Sequence, residues 1–380
     1  MVRGPAPPSA DYASTVRDRT GILASVHPVR PGFRGVGMYG SCQRAGWASD
    51  PVLTPRRQCS MPPTDRLLDA ALAATRHISA DEIRHLVARP TIIVSAPRSG
   101  SNLLFELLSG VDDIWTIGRE SHVIFNEFPN LRAENARLDS GRLGEAHADR
   151  ETRQQFRSVF LFLLRDARGR RLVTLPPAQR PAAINPLEKT PRNALNIPFL
   201  MKVFPGAKFI LLHREPRANV ASLVEAWKVG LQSGRFVTYW DLPGWDRAAW
   251  CFLLPPDWRS MIGRSLVEIA AFQWSASNSI MLDHLAALPA ERWTVVSYEW
   301  LIRDPGGVRE HLCRFISPDL RCDKAPVGAM PLSRTTLSPP HPDKWKKYQQ
   351  ELAALWPQLD SVDRRIAEAS ELCWARDVPS

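Results

Sequence analysis

The segment Ser95-Ala96-Pro97-Arg98-Ser99-Gly100-Ser101-Asn102 concentrates a fixed cation, several small polar donors and one glycine in a short loop. Those residue types suit an anion. Gly100 lets backbone N–H groups approach phosphate oxygens closely, Ser99, Ser101 and Asn102 add side-chain donors, and Arg98 offers a planar guanidinium fork. Downstream, Glu120 and His122 are candidate proton acceptors, and Lys189 is a candidate charge stabiliser. Glu120 could act as a base only if partial burial raised its pKa towards neutrality, whereas an imidazole is suited to that task without help.

These residues need elements to hold them. The β-rich apolar run 91–95 precedes the loop, and a helical pattern over 102–109 follows it. The loop is therefore expected at a helix N-terminus, where unpaired N–H groups and the helix dipole favour negative charge. It is not a GxxxxGK[ST] loop, because Ala96 stands at the first glycine position and no lysine follows Gly100. That disfavours a P-loop kinase. Runs 208–213 and 293–298 also read as strands, each followed by a helix (217–228 and 306–316), and a weaker strand falls at 114–117. Thr64 is placed to start a helix reaching Arg76, and Ser79 with Glu82 fits a capping box. Strands alternating with helices predict an α/β fold, a three-layer P-loop-type parallel sheet flanked by helices.

The loop resembles the 5′-phosphosulfate loop of sulfotransferases that use 3′-phosphoadenosine-5′-phosphosulfate (PAPS). It has the Pro-Arg-Ser-Gly form of tyrosylprotein and many bacterial members. The strand ending in Arg214-Glu215-Pro216-Arg217, with Ser222 eight residues after Arg214, resembles that superfamily's 3′-phosphate motif, with Glu215 in place of the usual Asp. A strand end and a second helical turn can bring Arg214 and Ser222 to one phosphate. Glu188-Lys189-Thr190-Pro191, Ser297-Tyr298-Glu299-Trp300-Leu301 and the late segments 335–338 and 343–345 are similar to further family motifs, so the resemblance spans about residues 90–350. It implies that PAPS is the donor, leaving adenosine 3′,5′-bisphosphate, with no metal. The implied donor-binding residues are Arg98, Ser99, Gly100, Ser101, Asn102, Arg214, Ser222, Tyr298 and Lys344, with Ser333, Thr335 and Thr336 as interchangeable late-loop candidates. Gly118-Arg119-Glu120-Ser121-His122 is similar to a stretch whose Glu is the proposed base in tyrosylprotein sulfotransferases, while cytosolic members use a His. Glu120 is thus the implied base and His122 its rival. Arg98 and Lys189, the latter in a Lys-Thr-Pro turn, are the implied stabilisers of sulfuryl charge. The acceptor is expected to be a hydroxyl or amine of a small molecule, glycoside or lipid. A non-catalytic nucleotide-binding protein on the same fold is the other alternative.

Between Trp227 and Trp274 lie Trp240, Trp245, Trp250 and Trp258 with Phe236, Tyr239 and Phe252. Residues 228–273 are therefore expected to be an aromatic, acceptor-facing insertion; a hydrophobic cluster under a long loop or a homodimer contact are the alternatives. The chain has 380 residues and a net charge of +10. Half of that excess falls in residues 1–60, where eight Arg face three Asp among seven Pro and seven Gly. That segment is expected to be a disordered extension, leaving 61–380 as one domain. The modest remaining bias suits one anionic ligand better than a nucleic-acid surface. No stretch of the sequence is apolar enough for a transmembrane helix to be expected, and the first 30 residues lack the continuous apolar core expected of a secretory signal peptide. Six scattered cysteines, none in a CxxC pair, point away from a disulfide framework or zinc site, towards a reducing, cytoplasmic setting.

Overall fold

The computed structural model describes residues 67–320, 336–337, 341 and 343–377. The expected extension 1–60, the helix start at Thr64, and the late-loop candidates Ser333 and Thr335 lie outside the described residues. Helices α1 (Leu67–Thr75) and α2 (Ala80–Leu86) precede β1 (Thr91–Val94). Then α3 (Ser101–Ser109), β2 (Ile114–Thr116), α4 (His122–Phe125) and α5 (Arg150–Leu163) lead to β3 (Asn185–Lys189). After α6 (Ile197–Val203) come β4 (Lys208–His213), α7 (Pro216–Ser233), strands β5 (Val237–Trp240) and β6 (Ala249–Cys251), and α8 (Leu266–Ala286). The described chain closes with β7 (Trp293–Ser297), α9 (Tyr298–Arg303), α10 (Pro305–Ile316) and α11 (Gln349–Asp377).

Five strands form one sheet in the order β2-β3-β1-β4-β7, and every pairing is parallel. The two-residue alternation along each strand splits the core. Ile92, Val94, Phe209, Leu211 and Val295 pack on one face with residues of α5 to α8 and α11. Ile93, Ile210, Leu212 and Val296 pack on the other with α3, α9 and α10. Buried on both faces, such strands read as continuous apolar runs, which is why β1, β4 and β7 are visible in the sequence. The predicted α/β fold is the observed one.

One strand differs from the sequence expectation. Asn185-Pro186-Leu187-Glu188-Lys189 carries a proline and three polar residues, yet it forms β3 beside β1, with Lys189 opposite Ile93. Lys189 therefore ends an interior strand and does not sit in a turn. Pro186 stands just before Leu187, where the pairing with β1 begins. The helix ends follow the expected local chemistry. Ser79 Oγ accepts from Glu82 N at 3.1 Å, and Ser265 with Glu268 makes a reciprocal capping box on α8.

Trp227, at the edge of the 228–273 segment, forms a separate core with Trp245, Trp250 and Trp258. Trp227, Trp250 and Trp258 are fully buried, and each indole N–H donates internally: Trp227 to Gln273 Oε1 at 2.8 Å, Trp250 to Leu253 O at 2.9 Å, Trp258 to Leu138 O at 2.8 Å. Trp245 packs edge-on against Trp250 at 4.8 Å. Trp227, Trp245, Trp250 and Trp258 thus back the antiparallel β5–β6 pair and do not line the cavity, whereas Phe236 and Phe252 of the same aromatic run do, and Trp240 is exposed. Apolar area and satisfied N–H groups favour that inward packing. Cys313 on α10 is disulfide-bonded, which departs from uniformly reduced thiols, whereas Cys251 and Cys373 are free and buried. Among the described residues no helix is long and apolar enough to cross a membrane.

Candidate active site

The order β3-β1-β4 places the chain's reversal of direction at β1, the strand that feeds the Arg98 loop. In open parallel sheets the crevice at such a point, beyond the strands' carboxyl ends, is the natural ligand site. Here it is a cavity of about 1240 Å³. Because β1, β3 and β4 end side by side, they deliver the 95–102 loop, Lys189 and Arg214 to the same place.

The loop is held tightly. Gly100 has φ +98, and a Cβ there would stand 2.5 Å from Cδ2 of Tyr298. Only glycine meets both conditions. The Tyr298 ring is also covered by the Arg214 guanidinium, 4.5 Å from its centroid. Tyr298 therefore joins the loop to the 3′-side cation. Ser99 is fully buried and donates its hydroxyl to Ala96 O at 2.9 Å, so its side chain braces the loop and does not reach the cavity. Pro97, Arg98, Gly100, Ser101 and Asn102 do line it. Arg98 takes a left-handed backbone, φ 69, which is uncommon for a non-glycine residue and is maintained only by its surroundings. Burial, then repulsion from Arg214 and Arg235, lowers its pKa to about 10.

Glu120 and His122 both face the cavity and lie together, with His122 Nδ1 3.5 Å from Glu120 Oε2. The other carboxylate oxygen, Oε1, accepts from Lys189 Nζ at 2.7 Å, and Lys189 also donates to Asn102 Oδ1. Burial alone would raise the Glu120 pKa. The hydrogen bond from His122 and the charge and hydrogen bond of Lys189 outweigh it and bring the carboxyl down to about 2. The expected upward shift is thus reversed, by His122 two residues away and by Lys189, which the sequence did not place at the end of a neighbouring strand.

A buried polar network fixes this arrangement. Glu188 accepts from Thr190 Oγ1 at 2.5 Å and from Asn193 Nδ2 at 2.8 Å, and Thr190 Oγ1 accepts from Ser121 N at 2.7 Å. Burial pushes the Glu188 pKa up, opposed by its hydrogen bonds. The network clamps Ser121, between Glu120 and His122, to the end of β3.

Arg214, just past the end of β4, and Ser222 on α7 both line the cavity. Arg214 Nε is buried without a hydrogen-bond partner, and among the described residues no carboxylate pairs with this guanidinium. Lys344 lines the same region together with Thr336, and its pKa is lowered by burial, by Lys347 and by Arg214. The segment bearing Lys344 is tied to α7: Lys347 Nζ donates to Glu225 Oε1 at 2.7 Å, and Tyr348 OH donates to the same oxygen. Those two bonds, set against burial, hold the Glu225 carboxyl below its ordinary value.

Several lining residues were not singled out as site residues in the sequence. Arg217 packs between Trp345 and Trp356, 5.0 and 4.0 Å from their centroids, so it anchors the late segment. Its place in the Arg214-Glu215-Pro216-Arg217 run was the available signal. Arg192, Phe236 and Phe252 also line the cavity. Arg192 comes from a 3-10 turn that no local pattern marked, whereas Phe236 and Phe252, at the ends of the hairpin, belong to the aromatic run expected on the acceptor side. Among the described residues, no group of three or more His, Cys, Asp or Glu is placed to hold a metal ion.

Comparison with known proteins adds one decisive match. Three solved structures are similar at low identity: a sulfotransferase from Alicyclobacillus acidocaldarius (16% identity, TM-score 0.39, covering 73% of this chain and 96% of that one), sulfotransferase STF9 from Mycobacterium avium (15%, 0.43, 76% and 74%) and the sulfotransferase domain from the curacin biosynthetic pathway (19%, 0.35, 69% and 96%). No curated protein gives a significant match. Residues 90–321 match the model of the sulfotransferase family, from the start of β1 past the end of α10, and with more than half of its length matched the chain belongs to that family.

Proposed function

We propose that the protein moves a sulfuryl group from PAPS to a hydroxyl or amine of a small-molecule acceptor. The observation that carries this reading is the crowding of Arg98, Arg214 and Lys344 around one cavity, with Arg214 Nε buried and unpartnered. Cations brought together on one cavity are suited to a polyanion. Arg214, Ser222 and Lys344 would hold the 3′-phosphate. Ser101, Asn102 and the backbone around Gly100, at the N-terminus of α3, would hold the 5′-phosphosulfate. When bound, PAPS supplies an activated sulfuryl group.

The chain's own residues then have separable tasks. Arg98 neutralises charge on the group in transit and on the leaving phosphate. Lys189 orients Asn102 and Glu120 and adds charge stabilisation from behind. Glu120, held by Lys189 near pKa 2, is a weak base but a good orienting carboxylate. It fixes His122 with Nδ1 towards itself, which leaves Nε2 as the proton acceptor for the incoming hydroxyl. His122 is therefore the preferred base, and Glu120 its positioning residue.

The test is calorimetric titration with adenosine 3′,5′-bisphosphate beside ADP and ATP·Mg²⁺, on wild type and Arg214→Ala. Metal-independent preference for the bisphosphate, weakened by about 2 kcal/mol in Arg214→Ala, is expected for a lost charged hydrogen bond. Equal affinity for ADP and the bisphosphate would overturn the donor assignment, and tighter binding of ATP·Mg²⁺ would favour a kinase.

A further inference from the structure

We infer that Phe236 and Phe252 form the acceptor-binding wall, and that the acceptor hydroxyl is carried on a flat, apolar ring system. The inference rests on the sulfuryl-transfer reading above and names the substrate class of that site.

Eight non-glycine residues among those described have positive φ, and the two aromatic ones are Phe236 (φ 70) and Phe252 (φ 65). A bulky side chain rarely occupies that region, and where it does the surrounding structure imposes it. Here the two residues are coupled. Phe252 N donates to Phe236 O at 3.0 Å, and the rings stack at 5.3 Å with 25° between their planes. Both flank the β5–β6 pair, whose backing is the tryptophan core with its indole N–H groups satisfied internally. The result is a half-buried pair of stacked rings that lines the cavity, with the Arg235 guanidinium 4.9 Å from the Phe236 centroid.

Its position relates it to the reaction. The Arg98 guanidinium lies 5.4 Å from the Phe236 centroid, so an acceptor seated against these rings adjoins the residue assigned to the transferring group. Glu120 and His122 line the same cavity. A volume of about 1240 Å³ exceeds the roughly 300–1,000 Å³ of a site for one ligand, which leaves room for an acceptor beside a nucleotide.

The lining selects the chemistry. Phe236, Val237, Phe252 and Leu253 are apolar, and among these hairpin residues only Thr238 adds a hydroxyl, itself accepting from Arg192 at 3.3 Å. A sugar would leave hydroxyls unpaired against that wall. A planar ring instead gains stacking on a partner already immobilised, and a flexible alkyl chain would lose rotational freedom for less contact.

The experiment titrates 2-naphthol, n-decanol and octyl glucoside onto protein saturated with adenosine 3′,5′-bisphosphate, for wild type, Phe236→Leu and Phe252→Leu. The expected result is 2-naphthol binding about tenfold tighter than either other probe, falling about fivefold or more in each variant. The bisphosphate affinity of both variants should stay within about twofold of wild type, which shows that the fold and donor site persist. Equal or better binding of decanol or the glucoside, no binding of 2-naphthol, or unchanged naphthol affinity in both variants overturns the inference. If the bisphosphate fails to bind wild type, the donor reading is what falls. The three probes are then compared on the free protein by the same criteria.

Discussion

On the loop side of the cavity, polar groups leave the ends of three adjacent parallel strands; on the hairpin side, two phenylalanines are pressed into left-handed backbone by a tryptophan core. The first device takes its precision from strand spacing, about 4.8 Å between neighbours. Arg98, Lys189 and Arg214 are far apart in sequence but necessarily close in space. The second device takes its precision from packing, because nothing in the backbone ladder alone demands φ near +65 at a phenylalanine. The difference teaches that a charged ligand can be recognised by topology, whereas an apolar one has to be recognised by a shape that a core enforces.

The largest expected effect breaks the loop side alone. Gly100→Ala places a Cβ 2.5 Å from the Tyr298 ring at a backbone φ of +98. Adenosine 3′,5′-bisphosphate binding should weaken by about 100-fold or more, some 2.7 kcal/mol. Affinity retained within a few-fold would show that the Tyr298 contact does not shape the loop.

An intermediate effect addresses the hairpin side. Trp250→Phe removes a fully buried indole and its hydrogen bond to Leu253 O. Stability to urea should drop by about 2 kcal/mol while bisphosphate affinity is unchanged. A parallel loss of nucleotide affinity would mean that the two sides are not separately supported.

The smallest effect is a change of slope. Glu120 has its folded pKa depressed from 4.5 to about 2, so its ionised form stabilises the native state fully above pH 4.5. That contribution is lost as pH falls through about 2. In Lys189→Met one of the two groups that lower the Glu120 pKa, beside His122, is removed, so the decline of Tm between those pH values should be shallower than in wild type. Identical slopes would show that the ion pair does not set the Glu120 charge.

Much of the loop side was legible. The Ile92–Val94 run, Gly100, and the eight-residue spacing of Arg214 and Ser222 are local patterns, and each reports a backbone state that neighbours in sequence impose. Glu120 and His122 were identified, but the direction of the Glu120 shift was not. It depends on Lys189, whose strand carries Pro186 and too little β-branched content to be seen. Ser99 was read as a donor to the ligand, yet its hydroxyl serves Ala96 O. The aromatic segment was noticed for its composition, but composition could not say which rings turn inward. Trp227, Trp245, Trp250 and Trp258 do, because they bury the most area and find internal acceptors, and the two phenylalanines are left at the cavity.

The sequence by itself determined the alternation of apolar strands with helices, the glycine that the anion loop requires, and the cations that make the cavity attractive to a polyanion. Those features depend on residue type and near-neighbour spacing. The tertiary structure decided that Lys189 holds Glu120, that Tyr298 lies between Gly100 and Arg214, and that Phe236, stacked on Phe252, stands beside Arg98. Each of those contacts joins residues tens to hundreds of positions apart, and only the order of strands in the sheet and the packing of the core bring them within reach.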